Sequence, residues 1–320
     1  METLSIFLDN NISYYPGDQV SGQVVLTNSV PLKARSITIS WEGISQTDVD
    51  VFSSPYKKQV FSQDYVAWVP KSLEERLPAS THEFPFSFKL PEDCPPTLNF
   101  WNTKNQYKVK VVVDRPWKNN LEKEVEFVVT KKLDLQGPLC KQWTQKFDNT
   151  GFFVNNGPIT LKVTLPTVVK PGQTIQLTYN VLNNSSATVN LLKADLFKHA
   201  HYHAREQHTP CQKFFSCPLS NDQQGYRLWR VGTMASRRVE IAPYTESTHQ
   251  MPFNISKTAT TPNFATGLMT FGYYLSIGFD VKGSSKFWLS FDIPMSIGES
   301  MPEKTAPKAL DSGAPPAYSA

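Results

Sequence analysis

The 320-residue chain lacks several features that would indicate a membrane, secreted or nucleic-acid-binding protein. It contains no run of eighteen apolar residues, which predicts no membrane-spanning helix. Its N-terminus has no basic stretch followed by an apolar block, so we expect no secretory signal and a cytoplasmic location. The 32 basic and 28 acidic side chains form no long run of either sign, which argues against a nucleic-acid partner. The seven tryptophans are interpreted as core and domain-edge packing rather than a base-stacking platform.

Cysteine is also scarce, and the usual catalytic motifs are missing. In a cytoplasmic protein the four cysteines are expected as thiols rather than disulfides: Cys94, Cys140, Cys211 and Cys217. The sequence has no glycine-rich phosphate loop, no G-x-S-x-G elbow and no H-E-x-x-H motif. A cysteine nucleophile paired with a histidine has no local signature. We therefore predict a protein that is not an enzyme and uses no cofactor.

What the sequence does contain is a series of short segments with alternating or β-branched apolar residues. Clusters of Pro, Gly, Asn and Asp separate them, and helical periodicity is hard to find. The clearest segments are SITIS (36–40), FPFSFKL (84–90), YKVKVVV (107–113), EVEFVV (124–129), ITLKVTL (159–165), TIQLTYNV (174–181) and FWLSFDI (287–293). This pattern predicts an all-β fold, and the 24 prolines, placed largely at turns and edges, favour β-sandwiches.

Pieces of the first half of the chain return in the second half in the same order. YYPGDQVSGQVVL (14–26) corresponds to VKPGQTIQLTYNV (169–181), and THEFPFSF (81–88) corresponds to THQMPFNI (248–255). Each Pro-Gly pair is expected to form a turn before a strand, because Pro fixes φ at the first corner and Gly tolerates a positive φ at the second. The repeat predicts two tandem sandwiches built on the same plan.

The predicted domains are an N-terminal β-sandwich at residues 1–133, a C-terminal β-sandwich at residues 134–298 and a flexible tail at residues 299–320. Residues 133–158 lie between the two patterns and are interpreted as connection rather than core. The tail is rich in Pro, Ala, Ser, Lys and Glu, and its few apolar residues do not offset the entropy cost of ordering it. We therefore expect it to be disordered.

In its longest motifs the sequence resembles the arrestin-domain proteins, and specifically the α-arrestins. The resemblance covers most of residues 5–298. It rests on YYPGDQVSGQVVL, SITISWEG, STHEFPFSFKLPEDCPPTLNF and YKVKVVVDRPW in the first domain, and on VVKPGQTIQLTYNVLNNSS and FDIPMSIG in the second. It implies two arrestin β-sandwiches that are not enzymes and that recognise other proteins, including the cytosolic regions of membrane proteins.

The resemblance also gives the tail a role, because α-arrestins carry P-P-x-Y motifs after the second domain. These motifs recruit WW-domain ubiquitin ligases of the HECT type. This chain has one such motif, where many relatives have two, so avid two-site binding is not carried over. The tail has no acidic-leucine segment like a clathrin box, and no residues match the phosphate-sensing core of visual arrestins.

The terminal motif, Pro315-Pro316-Ala317-Tyr318, has a physical reading of its own. Consecutive prolines hold the backbone near polyproline II, whose three residues per turn place Pro315 and Tyr318 on one side. A WW-domain groove lined by aromatic residues accepts such a segment with little loss of conformational entropy. Phosphorylation of Tyr318 would replace its hydroxyl with a dianion. We predict that these four residues bind a WW domain.

Residues 191–217 contain the densest group of side chains able to bind a metal. His199, His201 and His203 alternate on one strand face, and the potential ligands that follow are His208, Cys211 and Cys217. The opposite face carries apolar residues that would point to the core, so ordinary patterning explains exposed histidines without a metal. No Cys-x-x-Cys pair anchors a site. We predict no metal site, and a zinc site remains the alternative.

Together these features predict a non-enzymatic adaptor that brings a HECT-type ligase to membrane-protein cargo and thereby promotes ubiquitylation, endocytosis and protein sorting. It would act in the cytoplasm and be recruited to the plasma membrane and endosomes, with peripheral membrane association. The alternative is an arrestin-fold trafficking coat or signalling scaffold that works without a ligase. Those two hypotheses differ in whether the tail is needed.

Overall fold

The computed structural model describes residues 2–9, 13–49, 54–133, 140–148, 157–166, 168–209, 217–220, 222–232, 234–282 and 289–299. Every helix or strand assigned in this part of the chain is a strand, which confirms the all-β prediction. The described residues include no helix with the length and apolarity that crossing a bilayer requires.

The first half of the chain forms two antiparallel sheets. One has the order β1-β2-β5, and the other has the order β4-β3-β7-β6 with β8 paired to β7. The strands are β1 (Glu2–Leu8), β2 (Gln19–Asn28), β3 (Ser36–Thr47), β4 (Tyr56–Trp68), β5 (Thr81–Lys89), β6 (Leu98–Phe100), β7 (Thr103–Asp114) and β8 (Leu121–Phe127). Alternate residues of the central strands face one shared apolar core, as in a β-sandwich.

The second half repeats this plan with a larger sheet. One sheet has the order β16-β12-β10-β9, and the other has the order β11-β19-β18-β13-β14, with β15 paired to β13 and β17 paired to β18. The strands are β9 (Cys140–Phe147), β10 (Ile159–Pro166), β11 (Val168–Val169), β12 (Thr174–Asn183), β13 (Val189–His203), β14 (Gln224–Arg230), β15 (Ala235–Ile241), β16 (Thr245–Asn254), β17 (Phe264–Ala265), β18 (Met269–Val281) and β19 (Leu289–Ile297).

The structure confirms that the repeated motifs occupy equivalent places. In each domain the strand after the Pro-Gly pair is hydrogen-bonded to the strand that carries the Thr-His-x-x-Pro-Phe motif, β2 with β5 and β12 with β16. Gly17 has a φ of 84° and Gly172 a φ of 78°, so both turns use the conformation that glycine tolerates. The hydrogen bonds that close them run from Asp18 N to Tyr15 O and from Gln173 N to Lys170 O.

One prediction about the region between the domains is wrong. Residues 133–158 were expected to be connection, yet Cys140–Phe147 form β9, which pairs with β10 along its full length. As an edge strand it is mostly exposed, so its sequence lacks a strong alternation, and only Trp143 and Phe147 pack against the core. The domain boundary proposed near Asp134 falls outside the described residues.

A buried asparagine closes the same corner of each sandwich. Asn28 Nδ2 donates to Val30 O at 2.8 Å and to Pro78 O at 2.7 Å, and Asn183 Nδ2 donates to Ala242 O at 3.0 Å. Each asparagine is the last residue of the strand that follows the Pro-Gly turn, so the pair extends the internal repeat.

Replacing Asn28 or Asn183 with alanine is expected to lower the free energy of unfolding by about 1–3 kcal/mol, because buried carbonyls lose their donor. Urea denaturation of the purified protein measures the change. Asn180→Ala is the matched control, because the amide of Asn180 bonds to exposed side chains. A loss for Asn28→Ala no larger than that of the control would show that this corner does not need the amide.

Candidate functional site

The predicted ligase-binding residues, Pro315, Pro316, Ala317 and Tyr318, lie outside the described residues. The described chain ends at Glu299, which was predicted to be the first residue of the flexible tail. Its carbonyl accepts a hydrogen bond from Leu133 N at 2.7 Å, and its carboxylate accepts one from Tyr15 Oη at 2.9 Å. The second domain therefore ends against the first domain.

The surface between the two domains, which we call the domain seam, contains a shared apolar cluster. Leu98 and Phe100 come from the first domain but pack in the core of the second. Phe100 is 6% exposed and meets Phe271 edge to face, with ring centroids 5.8 Å apart. The ammonium of Lys198 lies 4.8 Å from the Phe100 ring centroid. An aromatic ring of the first domain thus completes the packing of the second.

Polar and aromatic contacts continue along the domain seam. Thr47 Oγ1, at the end of β3, donates a buried hydrogen bond of 2.7 Å to the carbonyl of His203, the last residue of β13. Trp101 and Trp229 come from opposite domains, and their ring centroids are 5.8 Å apart although each residue is more than half exposed. Not every tryptophan packs as predicted, because Trp117 is fully exposed.

The histidine-rich segment lies next to this seam. The expected alternation is present, because His199, His201 and His203 share one face of β13, opposite Ala200 and Tyr202. The expected exposure is wrong, since His201 and His203 are each only 1% exposed. Gln207 N, beyond the end of β13, donates to Gly267 O, and Cys217 Sγ lies 3.6 Å from His203 Nε2.

Three potential ligands converge here, and we call them the His-Cys cluster: His201, His203 and Cys217. The two Nε2 atoms of the histidines are 3.1 Å apart, and Cys217 Sγ is 3.6 Å from His203 Nε2. All three ligand atoms lie within 4.8 Å of one another. Among the residues the structure describes, these are the only three His, Cys, Asp or Glu side chains grouped in a way that could hold a metal ion.

The environment favours a neutral imidazole at His201. Burial lowers the pKa of His201 to about 4, and the nearby His203 contributes to the shift, while a backbone hydrogen bond at Gly225 opposes it. His203 Nδ1 lies 3.1 Å from the carbonyl of Gly267, which only accepts, so Nδ1 carries the proton in the neutral ring. The lone pair of His203 Nε2 then points toward the other two cluster members.

Of the remaining candidates from the same segment, His199 and His208 are not part of the cluster. His208 is exposed, and Cys211 lies outside the described residues. His199 instead approaches Tyr226 and Tyr274, with ring centroids 6.1 and 6.0 Å away, and burial lowers its pKa. The sequence identified the correct strand and face, but it did not indicate which residues of the following segment would return to them.

An ion pair with one fully buried partner lies on the same face of β13. Asp195 is fully buried, and its Oδ2 is 2.6 Å from Nε of Arg230 on the neighbouring strand β14. Burial raises the pKa of Asp195, while Arg230 acts in the opposite direction. Asp195 shares the strand face of the histidines, which the sequence indicated to be exposed, and like His201 and His203 it is buried instead.

The other described cysteines are free thiols in different environments, as predicted. Cys94 is buried, and burial is the main cause that raises the pKa of its thiol to about 12, which makes it a poor nucleophile at neutral pH. Cys140 is exposed on β9. Cys217 is the one described cysteine with a histidine nitrogen close to its sulfur, at 3.6 Å.

The first domain also carries a surface cleft of ≈ 430 Å³. It lies between β4 and β5, the edge strands of the two sheets, and is lined by Trp41, Gln63, Tyr65 and residues 85–89. Trp41 stacks on Phe88 at the cleft floor, with ring centroids 4.6 Å apart. Exposed sheet edges of this kind are able to add a strand from a partner.

Comparison with known proteins identifies the class to which this pair of sandwiches belongs. Residues 4–136 match the family described as "Arrestin (or S-antigen), N-terminal domain", and residues 155–302 match "Arrestin (or S-antigen), C-terminal domain". The two matches together cover most of the chain. The chain therefore belongs to the arrestin family and has two tandem arrestin domains.

Its curated relatives carry arrestin-domain names. The chain is 24% identical over 204 residues to "Arrestin domain-containing protein 17" of Caenorhabditis elegans, an alignment that covers 57% of this chain and 48% of the relative. It is 25% identical over 203 residues to "Arrestin domain-containing protein 1" of Mus musculus, covering 61% of this chain and 46% of the relative. The chain spans about half the length of these relatives.

These matches confirm the resemblance to arrestin-domain proteins of the α-arrestin type. Arrestin-family proteins are non-enzymatic scaffolds and adaptors.

Proposed function

We propose that this chain is a non-enzymatic adaptor that recruits a WW-domain ubiquitin ligase of the HECT type to membrane-protein cargo. The observation that carries the proposal is the Pro315-Pro316-Ala317-Tyr318 motif following two arrestin domains in one chain. The ligase would ubiquitylate the cargo and thereby promote its endocytosis and sorting. Recruitment would take place at the cytosolic face of the plasma membrane and of endosomes.

The position of Glu299 supports a protein whose tail binds the ligase while its two sandwiches bind the cargo. Because Glu299 is hydrogen-bonded to the first domain, the tail starts from the domain seam. The chain from Glu299 to Pro315 spans at most about 55 Å when fully extended. A ligase bound at Tyr318 would thus stay within reach of cargo held by either sandwich. Lys304 and Lys308, which lie in the same stretch of sequence, are candidate acceptors for ubiquitin on the adaptor itself.

The sandwiches would contact cytosolic regions of cargo through surfaces such as the cleft between β4 and β5. This cleft combines aromatic side chains with two sheet edges, and Lys89, which lines it, forms an ion pair with Glu92. An extended peptide pairing with an edge strand gains main-chain hydrogen bonds, while the aromatic residues provide side-chain contacts.

Replacing Tyr318 with alanine is expected to lower the recovery of WW-domain ligases at least tenfold, because the WW groove loses the aromatic ring that the polyproline segment presents. The measurement is a pull-down from cells with the full-length chain as bait. Tyr244→Ala is the control, because it removes an exposed tyrosine of the second domain. Equal recovery of ligases by wild type and Tyr318→Ala would contradict the proposed recruitment of a ligase through the tail motif.

Truncation after Glu299 separates this function from its main alternative, a coat or signalling scaffold of arrestin fold that works without a ligase. The truncation keeps the hydrogen bonds of Glu299 to the first domain. If the adaptor proposal is correct, cargo ubiquitylation and endocytosis fall in the truncated protein. Unchanged cargo localisation would instead support the scaffold.

A further inference from the structure

We propose that the His-Cys cluster, formed by His201, His203 and Cys217, is a binding site for one zinc ion. The sequence favoured the absence of a metal because it placed the histidines on an exposed strand face. Their burial in the structure removes that reason, and the return of Cys217 supplies a third ligand that sequence spacing did not predict.

Two of the three distances between the ligand atoms are close to those around a tetrahedral ion, and the third is below 4.8 Å. With Zn–N bonds of about 2.05 Å and a Zn–S bond of about 2.3 Å, tetrahedral angles place two nitrogen ligands about 3.4 Å apart and a nitrogen and sulfur about 3.6 Å apart. The observed separations are 3.1 Å between the histidine nitrogens and 3.6 Å between His203 Nε2 and Cys217 Sγ. Small side-chain adjustments would bring all three atoms onto one ion.

His203 also makes the hydrogen bond that orients a metal-bound histidine. A metal-bound histidine donates its other ring N–H to a carbonyl or carboxylate, which fixes the tautomer and the ring orientation. His203 Nδ1 has that arrangement with Gly267 O at 3.1 Å. His203 N additionally donates to Leu268 O, and His203 O accepts from Thr47 Oγ1. Backbone and ring are therefore held before any ion arrives.

The type of ligand selects the class of metal. Two imidazoles and one thiolate are soft or intermediate donors, which favour zinc over magnesium or calcium. Three protein ligands leave a fourth position for water or another ligand. Zinc binding would also neutralise the negative charge of the Cys217 thiolate in this half-buried site. If the thiol is protonated beforehand, binding would release its proton to solvent.

The ion would act on the domain seam. It would fasten Cys217 to the end of β13, the strand that leads into the segment containing Ala204 and Glu206. Glu206 forms an ion pair with Lys58 of the first domain, and His203 accepts the buried hydrogen bond from Thr47. Zinc occupancy would therefore stabilise the same segment that joins the second domain to the first.

Zinc titration of the purified full-length protein tests the site. We expect one Zn²⁺ per wild-type chain and at least a tenfold loss of affinity in Cys217→Ser and in His203→Ala, measured by calorimetry. Cys140→Ser, at an exposed position, and His82→Ala, at a partly buried position of the first domain, are controls outside the cluster and should bind like wild type. Added zinc should raise the melting temperature of wild type but not of Cys217→Ser.

Two measurements on wild-type protein keep the test independent of whether the variants fold. Cobalt(II) should give a thiolate-to-metal charge-transfer absorption, and stoichiometric zinc should protect Cys217 from alkylation while leaving exposed Cys140 reactive, as read by peptide mass spectrometry. Absence of the charge-transfer band, or equal alkylation of Cys217 with and without zinc, would overturn the proposal.

Discussion

Replacing Phe100 with alanine is expected to lower the free energy of unfolding by about 3–5 kcal/mol, the range for deleting a buried aromatic ring. Phe100 belongs to the first domain by sequence, but it fills space in the core of the second beside Phe271. Its removal leaves a cavity at the domain seam and frees the Lys198 ammonium from its contact with the ring. The second domain should lose the most stability.

Calorimetry and urea denaturation measure this effect. We expect the variant to unfold in two separated transitions, with the second domain melting first, because the cavity weakens that domain and its attachment. Phe7→Ala is the control, since Phe7 is 55% exposed on β1 and its loss should change stability by no more than about 0.5 kcal/mol. Equal stabilities of the two variants would show that the two cores are independent.

Replacing Arg230 with alanine is expected to destabilise the protein by about 2–4 kcal/mol at neutral pH. The substitution leaves the fully buried carboxylate of Asp195 without its ion-pair partner, and an uncompensated buried charge is costly. The figure is below that of a fully buried pair because the Arg230 side chain is 55% exposed and screened by solvent.

The loss should depend on pH in a defined direction. Burial already raises the pKa of Asp195 in the folded protein, and removing Arg230 takes away an interaction that lowers it. A carboxyl with a raised folded-state pKa favours folding when protonated, and this contribution is lost as pH rises through that pKa. The loss of stability caused by Arg230→Ala should thus be greatest at neutral pH and should become smaller as the solution is acidified.

Urea denaturation at a series of pH values measures this loss of stability, and two variants serve as controls. Arg227→Ala removes another arginine of β14 that has no ion pair with Asp195 and should have little effect. Asp195→Asn combined with Arg230→Ala removes the buried charge and should recover much of the stability at neutral pH. A deficit for Arg230→Ala that does not change with pH would contradict the assigned role of Asp195.

The parts of the fold that the sequence predicted are those set by local chemistry. Pro-Gly turns form where they are expected because few other residue pairs satisfy φ at both corners, and Gly17 and Gly172 adopt the required positive φ. The paired motifs retain their inward faces although the register differs. Val20 pairs with Phe88, whereas the equivalent Ile175 pairs with Phe253, a shift of two residues that leaves the side-chain alternation intact.

The parts that the sequence did not predict depend on contacts between distant segments. Alternation predicted which face of β13 carries the histidines, but it did not indicate that His201 and His203 are buried or that Cys217 lies beside them. In the sequence, Phe100 looks like any other apolar residue of the first sandwich. Only the packing of the two domains against each other places it in the core of the second domain. The exposed strand β9 escaped prediction because edge strands need little apolar alternation.

The tryptophan pair at the domain seam gives the protein an intrinsic spectroscopic probe of the contact between its domains. Trp101 and Trp229 belong to different domains, and their indole rings lie close enough for their excited states to interact. Because each ring is also more than half exposed, solvent quenchers reach both of them. Near-ultraviolet dichroism and emission from these two side chains should thus follow any separation of the sandwiches without an added dye or label.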